Sequence, residues 1–291
     1  MTDLATTSLI ATYSAMGVYT FAFVLFTVDL AGRSASEGQS KPTRWLRSAM
    51  ALTWLGWLIH LAAAIMRGIA ANRVPWANMF EFGLTATLAL VGVFLGISVF
   101  RDVRFVGSFI TGFAILALGI VATNFYVAVT PLPPALQDYW LVIHVFVAVL
   151  GTGFFATGAA LSAAQLFQSA RESGRLTTRN WRFLSAFPKA EALESLSYRL
   201  TVIGFVFWTF TVIAGAIWAE HAWGRYWGWD TKEVWSFIIW VLFAGYIHAR
   251  ATRGWRGNPA AVLNLIGFTA VIFNFTIVNL FFKGLHVYSG L

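Results

Sequence analysis

The sequence predicts an all-α polytopic membrane protein with about eight transmembrane helices, and two observations carry that prediction. Of its 291 residues, 58% are hydrophobic and only 11% are charged, whereas a soluble domain carries about 25% charged residues. The apolar residues also fall in runs of about 18–25 positions, the length that crosses a bilayer as a helix. The whole chain, 1–291, reads as a single integral membrane domain, with no room between spans for a soluble one.

The first span is expected over 8–30. The residues before it, MTDLATTSLI, contain no basic n-region and no clear cleavage site, so it reads as a retained helix and not a signal peptide. The second, 47–70, starts behind Arg44 and Arg47 and carries His60 past its middle. The third, 80–100, follows the Pro- and Asn-containing stretch VPWAN, and the fourth, 105–127, follows Arg101 and Arg104. The fifth, 140–167, has His144 four residues inside it. A long connection, 168–197, is expected to hold an interfacial helix (Trp181, Phe183, Phe187) ahead of Pro188. The sixth span, 198–219, leads into a Trp-rich segment, 218–235. The seventh, 233–250, carries His248 near its far end, and the eighth, 260–283, stops just short of His286. No internal repeat is apparent.

Orientation follows from the cations. Fifteen of the twenty basic residues lie in one set of connections: Arg33, Lys41, Arg44 and Arg47; Arg101 and Arg104; Arg171 through Arg199; and Arg250, Arg253 and Arg256. That side is cytoplasmic, which puts both termini and the Trp-rich segment outside. The net charge of +8 is therefore a topology signal and no sign of nucleic-acid binding. The other five cations, Arg67, Arg73, Arg225, Lys232 and Lys283, are expected at or near the outer surface. They either snorkel to the membrane surface or hold an anionic ligand.

Five of the fourteen tryptophans lie between Trp218 and Trp235, in WAEHAWGRYWGWDTKEVW. An aromatic belt is the ordinary explanation for Trp at a membrane surface. A belt requires neither this density nor the paired Trp223-Gly224 and Trp227-Gly228. The segment reads instead as an aromatic plate for a large flat ligand, with Trp223 and Trp227 on one face of a short interfacial helix. Asp230, three residues before Glu233, reads first as a helix cap.

His144 and His286 fall at the depth of this plate, on separate helices, given about 1.5 Å of rise per residue. Two imidazoles approaching an aromatic plate suggest axial ligation of haem iron. His248, near the opposite end, has no partner at its own level. It is either structural or completed by a second protein. His221 reads as a rim residue. The chain has no cysteine, so any thiol chemistry belongs to a partner.

The pattern Trp223-Gly-x-x-Trp227-x-Trp229-Asp230, then Lys232-Glu233, with flanking outer histidines, resembles the tryptophan-rich WWD domain of the haem-handling proteins of cytochrome c maturation. Within that group it is similar to the CcsA (ResC) type of the system II pathway. VPWANMFEF (74–82), YIHAR (246–250) and FNFTIVNLFFKGLHVYSG (273–290) agree, so the resemblance spans the chain from about residue 45. It implies that His144 and His286 hold the iron of haem b, that Trp223, Trp227, Trp229 and Asp230 form the plate, and that His248 is the ligand of an inner site completed by the partner CcsB (ResB). The second substrate would be an apocytochrome c with a Cys-x-x-Cys-His motif. Arg67, Arg73 and Arg225 would meet the propionates. The chain would then be a subunit of a holocytochrome c synthase in a bacterial plasma membrane, in contact with lipid, with attachment on the extracytoplasmic side. A quinol-linked membrane cytochrome b, which needs histidine pairs at matched depth, and a haem exporter without ligation activity are the alternatives.

Overall fold

A computed structural model describes residues 2–35, 43–130, 136–252, 254–282 and 284–285. Its helices are α1 (Thr2–Ala35), α2 (Arg44–Ala71), α3 (Met79–Phe100), α4 (Gly107–Asn124), α5 (Tyr139–Glu172), α6 (Ala190–Trp223), α7 (Thr231–Thr252), α8 (Asn258–Phe275) and the short α9 (Ile277–Phe281). Eight of them are long and apolar enough to cross a membrane, with α8 and α9 together forming the eighth. Among the described residues there is no strand. The spans read from the sequence match in number and place. The structure lengthens α5 and α6 to 34 residues each and shortens the link between them. At the place of the expected interfacial helix, that link holds a 3-10 helix, Arg179–Ala186. Trp181 there stacks on Phe167 of α5, and Phe187 meets Phe105 and Phe109.

Lipid offers no hydrophobic drive between helices, so close approach of small residues does the packing. The α5–α6 pair shows it: Gly151 lies against the backbone of Gly204 and Trp208, and a Cβ there would come within 3.3 Å of the Trp208 nitrogen. The largest apolar core joins α1 to α4 with one side of α5, around Tyr19, Phe94, Leu84 and Leu118. A second joins α5 to α8, where the rings of Phe155 and Phe243 stack at 3.6 Å.

The fold also holds a repeat that the sequence did not reveal. In the first four helices, α1 packs on α2 and α4, α3 on α4, and α2 on α3. The same pairings recur as α5 with α6 and α8, α7 with α8, and α6 with α7, and α3 against α5 joins the two halves. Helices α3 and α7 are both 22 residues long, and α4 and α8 both 18. The loops α2–α3 and α6–α7 share one construction. Each begins with a residue in the left-handed region, Asn72 (φ 51°) or Gly224 (φ 68°), that ends the preceding helix. Each continues with an arginine, Arg73 or Arg225, that donates to a glutamate eight residues on, Glu81 at 2.6 Å or Glu233 at 3.1 Å. That glutamate sits in the first turn of the next helix and accepts loop amides: Ala77 for Glu81, Gly228 and Asp230 for Glu233. Because the two loops lie four helices apart, they are at the same end of the bundle.

Candidate functional site

At that end lies a cavity of about 510 Å³, walled by α3, α4, α5, α6, α8 and the start of α7. Its volume is in the usual range for small-molecule pockets, about 300–1,000 Å³. Most of the wall is apolar. On the α4 side it includes the exposed Leu116 and Ile120, so the cavity opens toward the surface that lipid would cover.

His144 stands in this wall. Its position on α5 is set by Asp138, whose side chain accepts from the Trp140 amide at 2.7 Å and caps the helix. The imidazole packs into a notch on α6. Nδ1 is 2.9 Å from the Thr211 carbonyl, Gly215 presents no side chain beneath the ring, and Trp218 stacks on it at 5.9 Å and 17°. A carbonyl only accepts, so Nδ1 carries the proton and Nε2 is the basic nitrogen. An outer hydrogen bond sets histidine in this way for metal ligation. Trp218 in turn meets Trp223 edge to face at 4.8 Å.

The Trp segment is no interfacial helix. Gly224, in the left-handed region, stops α6 at Trp223, and residues 224–230 run as an irregular loop to α7. Trp223 and Trp227 therefore share no helical face. Of the expected plate, Trp227 lines the cavity, with Tyr226 and Trp218 beside it. Trp223 lies behind Trp218. Trp229 is 78% exposed, at φ 60°, and touches Trp227 edge to face. Asp230 is at the start of α7, where its amide donates to Glu233 at 3.1 Å in one arm of a capping box. Its carboxylate lies so close to Gly284 that no Cβ would fit there.

The three arginines are held by protein partners. Arg67 is fully buried, with Nε 2.9 Å from Glu81, Nη2 2.7 Å from the Val127 carbonyl, and the rings of Phe80 and Tyr126 beside it. Arg73 shares Glu81. Neither lines the cavity, because Glu81 draws both to the α2–α3 loop. Arg225 pairs with Glu233, which does line it. Lys232 also lines the cavity, as do Asn274 and Asn279. His221 Nδ1 donates to Asp138 at 2.8 Å, tying the end of α6 to the start of α5. Partial burial raises the Asp138 carboxyl, but the Trp140 amide and His221 outweigh this and hold it below the usual carboxylate value. His60 is buried between the Tyr19 hydroxyl and the Leu84 carbonyl, 2.9 Å from its Nε2, which gives it a structural place. His248 is exposed, roughly 25 Å along α7 from Thr231. His286 and Lys283 lie outside the described residues.

Sequence reasoning missed Trp218, Thr211 and Gly215 as the seat of His144, although their spacing along α6 is helical. It gives Lys232 only as one of five outer cations that snorkel or hold an anionic ligand, and Lys232 is the one of the described four that lines the cavity.

Residues 76–286 match the family described as cytochrome C assembly protein. The chain is 30% identical to the cytochrome c biogenesis protein CcsA of Prochlorococcus marinus, with 92% of this chain and 91% of that one covered. It is 34% identical to the CcsA of Gloeobacter violaceus, covering 77% and 81%. Among solved structures, the cytochrome c haem lyase CcmF superposes with a TM-score of 0.66 at 19% identity. That match covers 94% of this chain and 46% of CcmF, so it shows a shared fold over just under half of the larger protein.

Proposed function

The chain belongs to the cytochrome c assembly family as a CcsA-type cytochrome c biogenesis protein, and on that premise we propose that it carries haem b to the cavity at its Trp-loop end and presents it for covalent attachment to an apocytochrome c. The seat of His144 carries this reading. Its Nδ1–H is committed to the Thr211 carbonyl, its ring is clamped by Trp218 and Gly215, and it stands in an apolar cavity of suitable size. His286 is assigned as the opposite axial ligand. Support comes from Gly284, two residues earlier, which lies against Asp230, and from Asn279, which lines the cavity.

His248 is the ligand of an inner site that a membrane partner of the CcsB type completes. It sits on a face of α7 with the exposed Phe237, Val241 and Gly245. In the first half α5 covers the corresponding helix, α3. Of the three arginines expected to meet propionates, Arg225 is the one that contacts a residue of the cavity wall, and that residue, Glu233, already supplies its counter-charge.

The attachment chemistry is addition. Each thiol of the Cys-x-x-Cys-His motif adds across one vinyl group, with sulfur bonding to one vinyl carbon and the thiol hydrogen to the other, and no electrons leave the pair. This chain contributes orientation: fixed iron, a covered ring face and vinyl edges turned to the thiols. It has no cysteine to compete. The side carrying few cations is the extracytoplasmic side on this reading.

The test is co-expression with CcsB and an apocytochrome in cells lacking their own maturation system, scoring covalent haem, together with the absorption spectrum of the purified complex. Low-spin haem that disappears with His144→Ala, along with loss of covalent product, is expected. An unchanged spectrum and yield would overturn the assignment. Haem export without any covalent product would favour an exporter.

A further inference from the structure

We propose that Lys232 selects the cargo of this cavity by its carboxylate: the half-buried ammonium pairs with a propionate of the bound macrocycle. This rests on the haem reading above and extends it to a residue that makes the site specific for a carboxylated ring.

Lys232 is in the first turn of α7, and its side chain enters the cavity wall. Nζ is 2.5 Å from Asn279 Oδ1 and 3.3 Å from the Asn274 carbonyl. Both partners are neutral oxygens and both line the same cavity. No ion pair among the described residues includes Lys232, and the Asp230 carboxylate, two residues before it and outside the cavity wall, acts on it only at longer range. The other charged group in the wall, Glu233, is already held by Arg225 and two loop amides. An ammonium has three donors, and a cation in an apolar wall is costly unless an anion reaches it.

The repeat shows that the fold does not need this cation. Helices α3 and α7 have equal length and the same loop construction before them, so Lys232 stands where the first half has Phe80. Phe80 is a fully buried ring packed on Tyr126. The same comparison, taken back from Asn72 and Gly224, sets Ala219 against Arg67. In the first half Arg67 and Phe80 fill the space between helices. In the second half Ala219 and Lys232 both face the cavity, so a large cation is lost and a smaller one is set at the rim of the opened space.

The measurement compares binding of iron protoporphyrin IX with that of its dimethyl ester, which keeps the iron and the ring but lacks the anions, by the full chain purified with its partner. The wild type should prefer the acid by about ten- to a hundredfold, the strength of one charge-assisted contact. Lys232→Met should erase that preference by weakening the acid only, and Lys232→Arg should restore it. Asn279→Asp supplies a competing carboxylate while leaving Lys232 in place and should also erase the preference, which covers the case in which Lys232→Met fails to fold. Equal binding of acid and ester by the wild type, or an undiminished preference in Asn279→Asp and Lys232→Met, would overturn this proposal and leave the haem site standing. Failure of the wild type to bind either compound would instead overturn the haem reading itself.

Discussion

Gly215→Ala tests the seat of His144 without touching the imidazole. A Cβ on Gly215 would lie 2.8 Å from Cε1 and 2.9 Å from Nδ1 of His144, whereas ordinary contact begins at 3.4 Å. The ring must therefore retreat by about 0.6 Å, the difference between 3.4 and 2.8 Å. That movement stretches the 2.9 Å bond to Thr211 toward the limit of a hydrogen bond. Losing an outer partner of a metal-binding histidine costs roughly 10–100-fold in affinity. The helix itself gains, since Ala is favoured over Gly in a helix interior by about 1 kcal/mol. The two effects have opposite signs, and that is the diagnostic. Haem titration followed in the Soret and low-spin bands should show affinity falling at least tenfold, while the melting temperature of the purified protein holds or rises. Gly215→Ala combined with His144→Ala should bind no worse than His144→Ala alone, because both act on one ligand. Wild-type affinity and spectrum in a folded Gly215→Ala protein would refute the account of how His144 is held.

Glu81→Gln removes the counter-charge of the fully buried Arg67, so it should cost about 3–5 kcal/mol, read as a lower melting temperature and poor yield; adding Arg67→Met should recover part of the loss. Asp138 is held below its usual value, so its contribution is present above the unfolded value near 3.8 and fades as pH falls through the folded one. The stability gap between wild type and Asp138→Asn should hold at pH 5 and shrink below about pH 4, as followed by thermal melts; a gap that widens in acid would contradict the pairing. Trp229→Asn should relieve a bulky residue at φ 60° by about 1–2 kcal/mol, raising the melting temperature while lowering covalent haem yield. A rise in both would argue that the strain serves no purpose at the site.

The eight spans were legible because lipid makes a demand that composition alone can meet: long apolar runs interrupted by cations. The depth of His144 was legible for the same reason, since helical rise converts sequence position to height. The path of the Trp segment was not. Trp223 and Trp227 are four apart, but Gly224 between them takes a left-handed conformation, and helical spacing has no meaning across that break. The cations misled in a related way. Arg67 and Arg73 were read by height alone, yet Glu81, eight residues beyond Arg73, collects both. A carboxylate in the first turn of a helix meets amides as well as guanidinium groups, and Glu81 holds both arginines and the Ala77 amide.

The repeat was illegible because its two copies share a construction and very few residues: Arg73, Asn78 and Glu81 against Arg225, Asp230 and Glu233. Those residues are the ones whose chemistry fixes a helix–loop–helix corner, namely a cap, a first-turn carboxylate and the guanidinium that pairs with it. Everything else at the corner diverged, and the divergence is where function sits. The first half packs its corner solid, with Phe80 and Tyr126 beside the buried Arg67. The second half keeps the corner and empties the space behind it, with Ala219, Gly215 and Trp218 lining a cavity. A pair of corners that hold themselves by the same two contacts, an arginine and loop amides on a first-turn glutamate, allows one to be hollowed without unfolding the other. The Arg225–Glu233 pair and the Gly228 and Asp230 amides thus hold the Trp loop through contacts within the protein alone.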